Sequence, residues 1–366
     1  MNVVFRVDAS IDIGSGHFMR CLTLAERLSL EKYEVAFVCL DLPGAMFELL
    51  DSKKIRVEKI SKKPDLSQEI DALMTIEASH KLFPNGIDWV VVDHYDLDVK
   101  WEKAMRPYTY NLFVIDDLAN RMHECDLLLD QNYYFDLESR YKCLVPDFCI
   151  NLLGPSFVLL RDEFISQKRT IREKDGYIKR ILVFFGGSDP SNQTQRVLDA
   201  LILLQLNEIE VDVVVGMSNP HKDSIKIYCD QSSALNFYCQ VSNMAELISK
   251  ADLAIGAGGG AMWERCYLGL PTITVVFAKN QERTTEDVSK TGAIEYLGWS
   301  DKIEVADYAE SIRHFFSHPE YVKQMSNLAL SIVRPSQVSI EYEMKRISSK
   351  AGMIECKNSE IKWEMF

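Results

Sequence analysis

The feature that most constrains this sequence is a repeated rhythm: a short apolar run, then a polar or glycine-rich turn, then a segment long enough for a helix. Residues 3–7 (VVFRV), 34–40 (EVAFVCL), 87–92 (IDWVVV), 112–115 (LFVI) and 127–129 (LLL) form a first series. Residues 181–185 (ILVFF), 211–215 (VDVVV), 253–255 (LAI) and 272–277 (TITVVF) form a second. Strand-length runs joined by helix-length crossovers predict parallel sheets covered by helices, an α/β fold. After residue 16 the apolar residues Phe18, Leu22, Ala25 and Leu28 share one helical face. Residues 161–180 (RDEFISQKRTIREKDGYIKR), dense in Lys, Arg, Asp and Glu and containing Gly176, interrupt the rhythm and read as a connection. The expected organisation is therefore a Rossmann-like domain over 1–160, a linker over 161–180, a second Rossmann-like domain over 181–335, and a tail over 336–366 that reads as helical and receives no role. Two such domains facing one another leave a cleft at the carboxyl ends of their strands.

Charge excludes some functions. Lys and Arg number 41 against 54 Asp and Glu, a formal net charge of −13. Such a surface repels a phosphate backbone, so nucleic acid is not an expected partner. A small phosphate ligand must be met locally, by helix amino ends or a few placed arginines. No apolar stretch approaches the roughly 18 residues that span a bilayer, so no stable membrane insertion is expected. The opening MNVVFRVDAS does not read as a signal peptide. Nine cysteines, an odd number without a C-x-x-C, read as reduced and mostly buried thiols of a cytoplasmic protein.

The candidate chemistry lies in the turns after the strands. Ile13-Gly14-Ser15-Gly16-His17-Phe18-Met19-Arg20 places two glycines before a helix start and His17 in its first turn. Gly14 and Gly16 let backbone N–H groups approach a ligand. The positive helix end disfavours imidazolium, so His17 is expected neutral and suited to act as a general base, with Arg20 on the same face. The bland alternative is a capping loop whose histidine only packs. With Met19 in the last glycine's place this is not the Rossmann fingerprint. Asp93-His94-Tyr95 follows the VVV strand; Asp93 and Tyr95 either enter the cleft or cap and pack the next helix.

Gly256-Ala257-Gly258-Gly259-Gly260 leads into a helix carrying Glu264. Gly258 and Gly259 suit a bed for a diphosphate, and Glu264 could accept hydrogen bonds from ribose; a tight packing turn is the alternative. Gly186-Gly187-Ser188 is a second such turn, where Asp189 or Ser191 could equally cap the following helix. Asn280 and Gln281 follow the TITVVF strand, with amides suited to sugar hydroxyls or simply to a loop. His80, His123, His221, His314 and His318 lack partners at metal spacing, so no metal is expected. No G-x-S-x-G elbow suggests a serine hydrolase.

In these strings the sequence resembles the UDP-2,4-diacetamido-2,4,6-trideoxy-β-L-altropyranose hydrolases of pseudaminic acid biosynthesis. The resemblance rests on Phe5-Arg6-Val7-Asp8-Ala9-Ser10, Ile13-Gly14-Ser15-Gly16-His17 with Met19-Arg20-Cys21-Leu22, Asp93-His94-Tyr95, Leu160-Arg161-Asp162-Glu163-Phe164, Gly186 to Pro190, Glu264 and Asn280-Gln281, over about residues 1 to 330. It implies a GT-B-like fold and a small-molecule UDP-sugar substrate with no cofactor. His17 would activate water for inverting attack at the anomeric carbon. Tyr95 would lie against the sugar, Arg161 would contact substrate, Glu264 would hold the uridine ribose, and Asn280 and Gln281 would bind sugar or diphosphate. The tail after about Arg346 departs from shorter relatives. A glycosyltransferase of the same architecture, a UDP-releasing epimerase and a binding module that senses a nucleotide sugar without turnover are the rival readings.

Overall fold

A computed structural model describes residues 1–10, 14–61, 63, 66–206 and 208–355; Ile13 of the first motif and Cys356 lie outside them. The chain divides into two compact units. The first comprises Met1–Gln131, Glu138–Leu153 and the segment from Ser336; the second comprises Asn132–Leu137 and Gly154–Pro335.

The first unit holds a seven-stranded parallel sheet of β1 (Asn2–Val7), β2 (Glu34–Leu40), β3 (Arg56–Ile60), β4 (Trp89–Asp93), β5 (Asn111–Ile115), β6 (Leu127–Asp130) and β7 (Ile150–Leu153). Its order is β3-β2-β1-β4-β5-β6-β7. Helices α1 (Gly16–Leu30), α2 (Phe47–Ser52), α3 (Gln68–Leu82) and α4 (Val99–Met105) make the crossovers among the early strands. Phe18, Leu22, Ala25 and Leu28 of α1 are all buried, the face their spacing predicts. Burial of such side chains stabilises by about 1.5–3 kcal/mol each. One residue of the central strand defies that logic. Arg6 is wholly buried and ion-pairs with Asp8 and Asp71, each at 2.7 Å.

The second unit holds a six-stranded parallel sheet of β8 (Arg180–Phe184), β9 (Glu210–Val215), β10 (Leu235–Cys239), β11 (Leu253–Ala257), β12 (Thr272–Val276) and β13 (Glu295–Trp299). The order is β10-β9-β8-β11-β12-β13. Its helices are α5 (Asp162–Gln167), α6 (Gln193–Leu203), α7 (Lys222–Cys229), α8 (Met244–Lys250), α9 (Gly260–Tyr267), α10 (Lys279–Lys290), α11 (Val305–Ser317) and α12 (Pro319–Ile332). The last helix, α13 (Ile340–Glu355), returns to the first unit. There Met344 is buried, and Trp89 Nε1 donates to Ser348 Oγ at 2.8 Å.

These contacts correct the expected boundaries. Residues 161–180 are not a linker but part of the second unit. Phe164 is fully buried, and Lys174, 4% exposed, donates to the carbonyls of Ser249 and Ala251 at the end of α8. Arg172 pairs with Asp252. The charges that suggested a solvated connection instead satisfy a helix end, where cations are favoured. The first domain is not the continuous span 1–160, because 132–137 and 154–160 belong to the second unit and the 336–366 tail contributes α13 to the first.

In each sheet the strand order reverses once, between β1 and β4 in the first and between β8 and β11 in the second. In open parallel sheets such switch points part the loops at the carboxyl ends and create a crevice for ligands. The motifs at Gly14–Gly16, Asp93–Tyr95, Gly186–Ser188 and Gly258–Gly259 each leave one of these four strands.

Candidate functional site

In the first unit, β1 and β4 are paired so that Val7 lies opposite Asp93. Between β1 and α1 the chain turns at Gly14, whose φ of +79° suits glycine and whose N–H donates to the Ser10 carbonyl at 2.9 Å. No side chain caps α1. His17, in its first turn, lies with Nδ1 2.7 Å from Asp93 Oδ1. A carboxylate only accepts, so toward Asp93 Nδ1 acts as the donor, while Arg20 Nη2, 3.0 Å from the same nitrogen, competes as a donor to it. Arg20, one turn on, donates from Nε to Asp93 Oδ2 at 2.5 Å and from Nη2 to Oδ1 at 2.7 Å. Its Nη1 donates to Asp117 Oδ2 at 3.0 Å. Tyr95 donates its hydroxyl to Asp117 Oδ1 at 2.7 Å and sets its ring edge-on to His17, 4.5 Å between centroids.

Asp93 is 1% exposed. Burial alone would push its carboxyl up, but the charges and hydrogen bonds of Arg20 and His17 hold it well below the usual carboxylate range. Burial, reinforced by the Asp117 charge, pushes the Tyr95 phenol well above its usual range, so it remains a neutral donor. The alternative in which Asp93 caps the next helix does not hold. Asp98 caps α4, accepting from the Lys100 N–H at 2.8 Å. His94 faces another partner, Asp8, at 3.2 Å. Asp117 was not among the sequence candidates; its signal is its place just past β5, the strand beside β4.

In the second unit the two glycine turns prove unlike one another. Gly186, with φ of +86°, leads to exposed Gly187 and Ser188 after β8. The Asp189 carboxylate then accepts from the N–H groups of Gln193 and Thr194 at 2.8 and 2.9 Å. Two N–H groups at the amino end of α6 are thus already satisfied by the chain's own carboxylate. After β11 the chain passes Gly258 and Gly259, the latter at φ +78°, into α9. The N-cap of α9 is Gly259, which has no side chain to cap it, and no acid stands in the first turn. Gln281 leans onto this turn from α10. Its Oε1 accepts from the Phe277 N–H at 3.1 Å, and its Nε2 lies 3.2 Å from where a Cβ on Gly259 would sit. Asn280 precedes it, half-buried, in the first turn of α10.

Glu264, one turn into α9, receives Arg161 Nη2 at 3.2 Å, while Arg161 Nη1 pairs with Glu163 at 2.6 Å. Burial pushes the Glu264 carboxyl up, against the opposing pull of Arg161. The structure therefore gathers His17, Arg20, Asp93 and Tyr95 in one unit. It gathers Gly258, Gly259, Glu264, Arg161 and Gln281 in the other. The first set can polarise and deprotonate a small molecule; the second offers backbone N–H groups to an anion beside a fixed carboxylate. Among the described residues, no group of three or more His, Cys, Asp or Glu stands together to hold a metal ion, and no helix is long and apolar enough to cross a membrane.

Known proteins agree with this description. Residues 181–337 match the family described as Glycosyltransferase family 28 C-terminal domain. The chain is 28% identical over 297 residues to the UDP-2,4-diacetamido-2,4,6-trideoxy-β-L-altropyranose hydrolase of Campylobacter jejuni, covering 81% of this chain and 99% of that protein. The resemblance carried by the motifs holds across both units. An uncharacterized Methanocaldococcus jannaschii protein, MJ1062, is 26% identical over 297 residues, which span 79% of this chain and 58% of that one. The crystal structure of MurG from Acinetobacter baumannii superposes with a TM-score of 0.62 at 12% identity, covering 96% of this chain and 99% of that one. The two α/β units are those of a GT-B-like fold.

Proposed function

We propose that the protein is a nucleotide-sugar hydrolase that releases UDP from UDP-2,4-diacetamido-2,4,6-trideoxy-β-L-altropyranose, as a step in pseudaminic acid biosynthesis. The observation that carries the proposal is the 2.7 Å pairing of His17 Nδ1 with Asp93, in a chain aligned with nearly the whole of a relative named for that hydrolysis. Asp93 fixes the tautomer, so Nε2 is the basic nitrogen that takes a proton from water. The hydroxide equivalent attacks the anomeric carbon with inversion, the C–O bond to the diphosphate breaks, and UDP leaves. Arg20 keeps Asp93 ionised, and Tyr95 borders the sugar.

UDP is a good leaving group when its charge is held. That task falls to the Gly258–Gly259 turn with the open end of α9, and to Gly186, Gly187 and Ser188. Well-placed donors to developing charge contribute on the order of 3 kcal/mol each. Glu264 accepts from the ribose hydroxyls, Arg161 contacts substrate, and Asn280 and Gln281 hold sugar or diphosphate. Gly14 and Gly16 give the substrate room beside His17, since a Cβ at either would meet nothing within 4 Å.

The test is turnover in ¹⁸O water. Label in the free sugar supports C–O cleavage, and label in the phosphate of the released nucleotide refutes it. A glycosyltransferase is the second reading, favoured by the family match of residues 181–337. Incubation without an acceptor separates the two, because only a hydrolase then accumulates free sugar.

A further inference from the structure

The turn after β11 has a cation beneath it. Arg265 leaves α9 toward the interior and is 2% exposed, among the largest fully buried side chains of the chain. Its Nη2 donates to the carbonyl of Ala257 at 2.6 Å. Its Nη1 lies 3.2 Å from where a Cβ on Gly256 would sit, so the guanidinium is packed against the start of the turn. Its Nε is buried without a hydrogen-bond partner. Among the described residues no carboxylate lies within ion-pair distance of it; the adjacent Glu264 pairs with Arg161 instead. Burial pulls its pKa down to about 10, which still leaves it charged near neutral pH.

A buried cation without an ion pair is costly, and an apolar side chain of similar volume is commonly tolerated or preferred at such a site. The neighbouring Glu264 charge offsets part of that cost without forming an ion pair, and burial outweighs it. What it touches is the end of β11, at Gly256 and Ala257, from which the Gly258–Gly259 turn leads into the electropositive amino end of α9. Its hydrogen bond draws the Ala257 carbonyl inward, so that oxygen does not confront an anion on the outer side of the turn. In a poorly polarisable interior the field of the guanidinium reaches further than it would in water.

We propose that Arg265 is an anion-recognition residue acting from below, which makes the Gly256–Gly260 turn specific for a diphosphate group. The proposal deepens the functional reading given above and rests on it for the identity of the natural ligand. It names the diphosphate, not the uridine or the sugar, as the part Arg265 recognises.

The test is calorimetric titration of the full chain and of Arg265→Gln with three probes: UDP, uridine and inorganic pyrophosphate. Glutamine keeps a donor for Ala257 and removes the charge. The expected result is at least a tenfold loss of affinity for UDP and pyrophosphate, with uridine unchanged within twofold and thermal stability held or raised. Equal losses for UDP and uridine, or pyrophosphate affinity unchanged, would overturn the proposal. If the wild type binds pyrophosphate in an Arg265-dependent way but not UDP, the anion site stands and the UDP-sugar reading fails. If the wild type binds neither, both fall. Should Arg265→Gln not fold, Arg265→Met is read by the same criteria; if neither folds, Arg265 is a scaffold residue and the proposal is overturned.

Discussion

Replacing Asp93 by Asn tests the first unit's chemistry at its most constrained atom pair. The carboxylate accepts from His17 Nδ1 and from two nitrogens of Arg20 at 2.5–2.7 Å. An amide offers one acceptor and one donor to a pocket where His17 and Arg20 present three nitrogen donors. If its NH2 faces His17, Nδ1 must accept, the ring proton moves to Nε2, and the basic nitrogen is lost. If its NH2 faces Arg20, a buried donor meets a buried donor. A general base is worth about 10²–10⁴-fold in rate, and the wrong tautomer forfeits most of it. Breaking a buried ion pair costs about 3–5 kcal/mol. Because Asp117 still holds Arg20 at 3.0 Å, the loss should fall at the lower end of that range. The sign of the pH dependence comes from the depressed carboxyl. A group whose folded pKa lies below its unfolded value of about 3.9 stabilises fully above that value and loses its contribution as the pH falls below it. The stability gap between wild type and Asp93→Asn should therefore be flat from pH 5 to 8 and close below about pH 4. UDP release under saturating substrate gives kcat, and urea unfolding at each pH gives stability. A variant within threefold of wild-type kcat, or a gap that widens in acid, would refute the reasoning.

The same geometry carries further expectations. His17→Ala or His17→Phe should bind UDP normally in a calorimetric titration yet lose about 10²–10⁴-fold in turnover; near-native turnover removes His17 as the base. Glu264→Ala should weaken UDP binding about tenfold or more, the order expected for a hydrogen bond to a charged group, and an unchanged Kd excludes the ribose contact. Tyr95→Phe deletes the hydroxyl that donates to Asp117 and should cost about 1 kcal/mol in chemical denaturation, with no change counting against a structural hydrogen bond there. Gly256→Ala would drive a Cβ to 2.2 Å from the Phe184 carbonyl and should lower Tm sharply, whereas Gly260→Ala has open space and should leave Tm within a few degrees; equal effects would contradict the packing described.

The legibility of the fold has a simple physical pattern. The strands recognised in the sequence are the interior strands of the two sheets. The four missed, β3, β7, β10 and β13, are the four edges. An interior strand of a parallel sheet is covered on both faces and reads as a continuous apolar run. An edge strand such as RVEKI is half-solvated, and its run is broken by charge. The same blindness to partners explains the charged segment 161–180. Lys174 looks solvated in a sequence, and only the fold supplies the carbonyls at the end of α8 that it satisfies. The site was legible where its residues adjoin an apolar strand, as Asp93 and Tyr95 do. Asp117 shares that position but gains its meaning only from Arg20 and Tyr95, brought to it from other loops. Arg265 was invisible for a further reason: one turn into a helix, beside a glutamate, an arginine reads as a surface residue.

The two switch points also explain how one architecture supports two kinds of chemistry. At β1 and β4 the departing loops carry side chains that interlock: the imidazole of His17 and the guanidinium of Arg20 both meet the Asp93 carboxylate. At β8 and β11 the loops are glycine-rich and present mainly main-chain donors, with charge supplied from Arg161, Glu264 and Arg265 around or beneath them. The strands differ little between the units, so the difference lies in the loops that leave them. A chain with a net charge of −13 has no general attraction for a nucleotide. On the proposed function, a diphosphate would be held where backbone donors and local cations are concentrated. For that reason the lack of a paired carboxylate at Arg265, among the described residues, carries more weight than the overall charge.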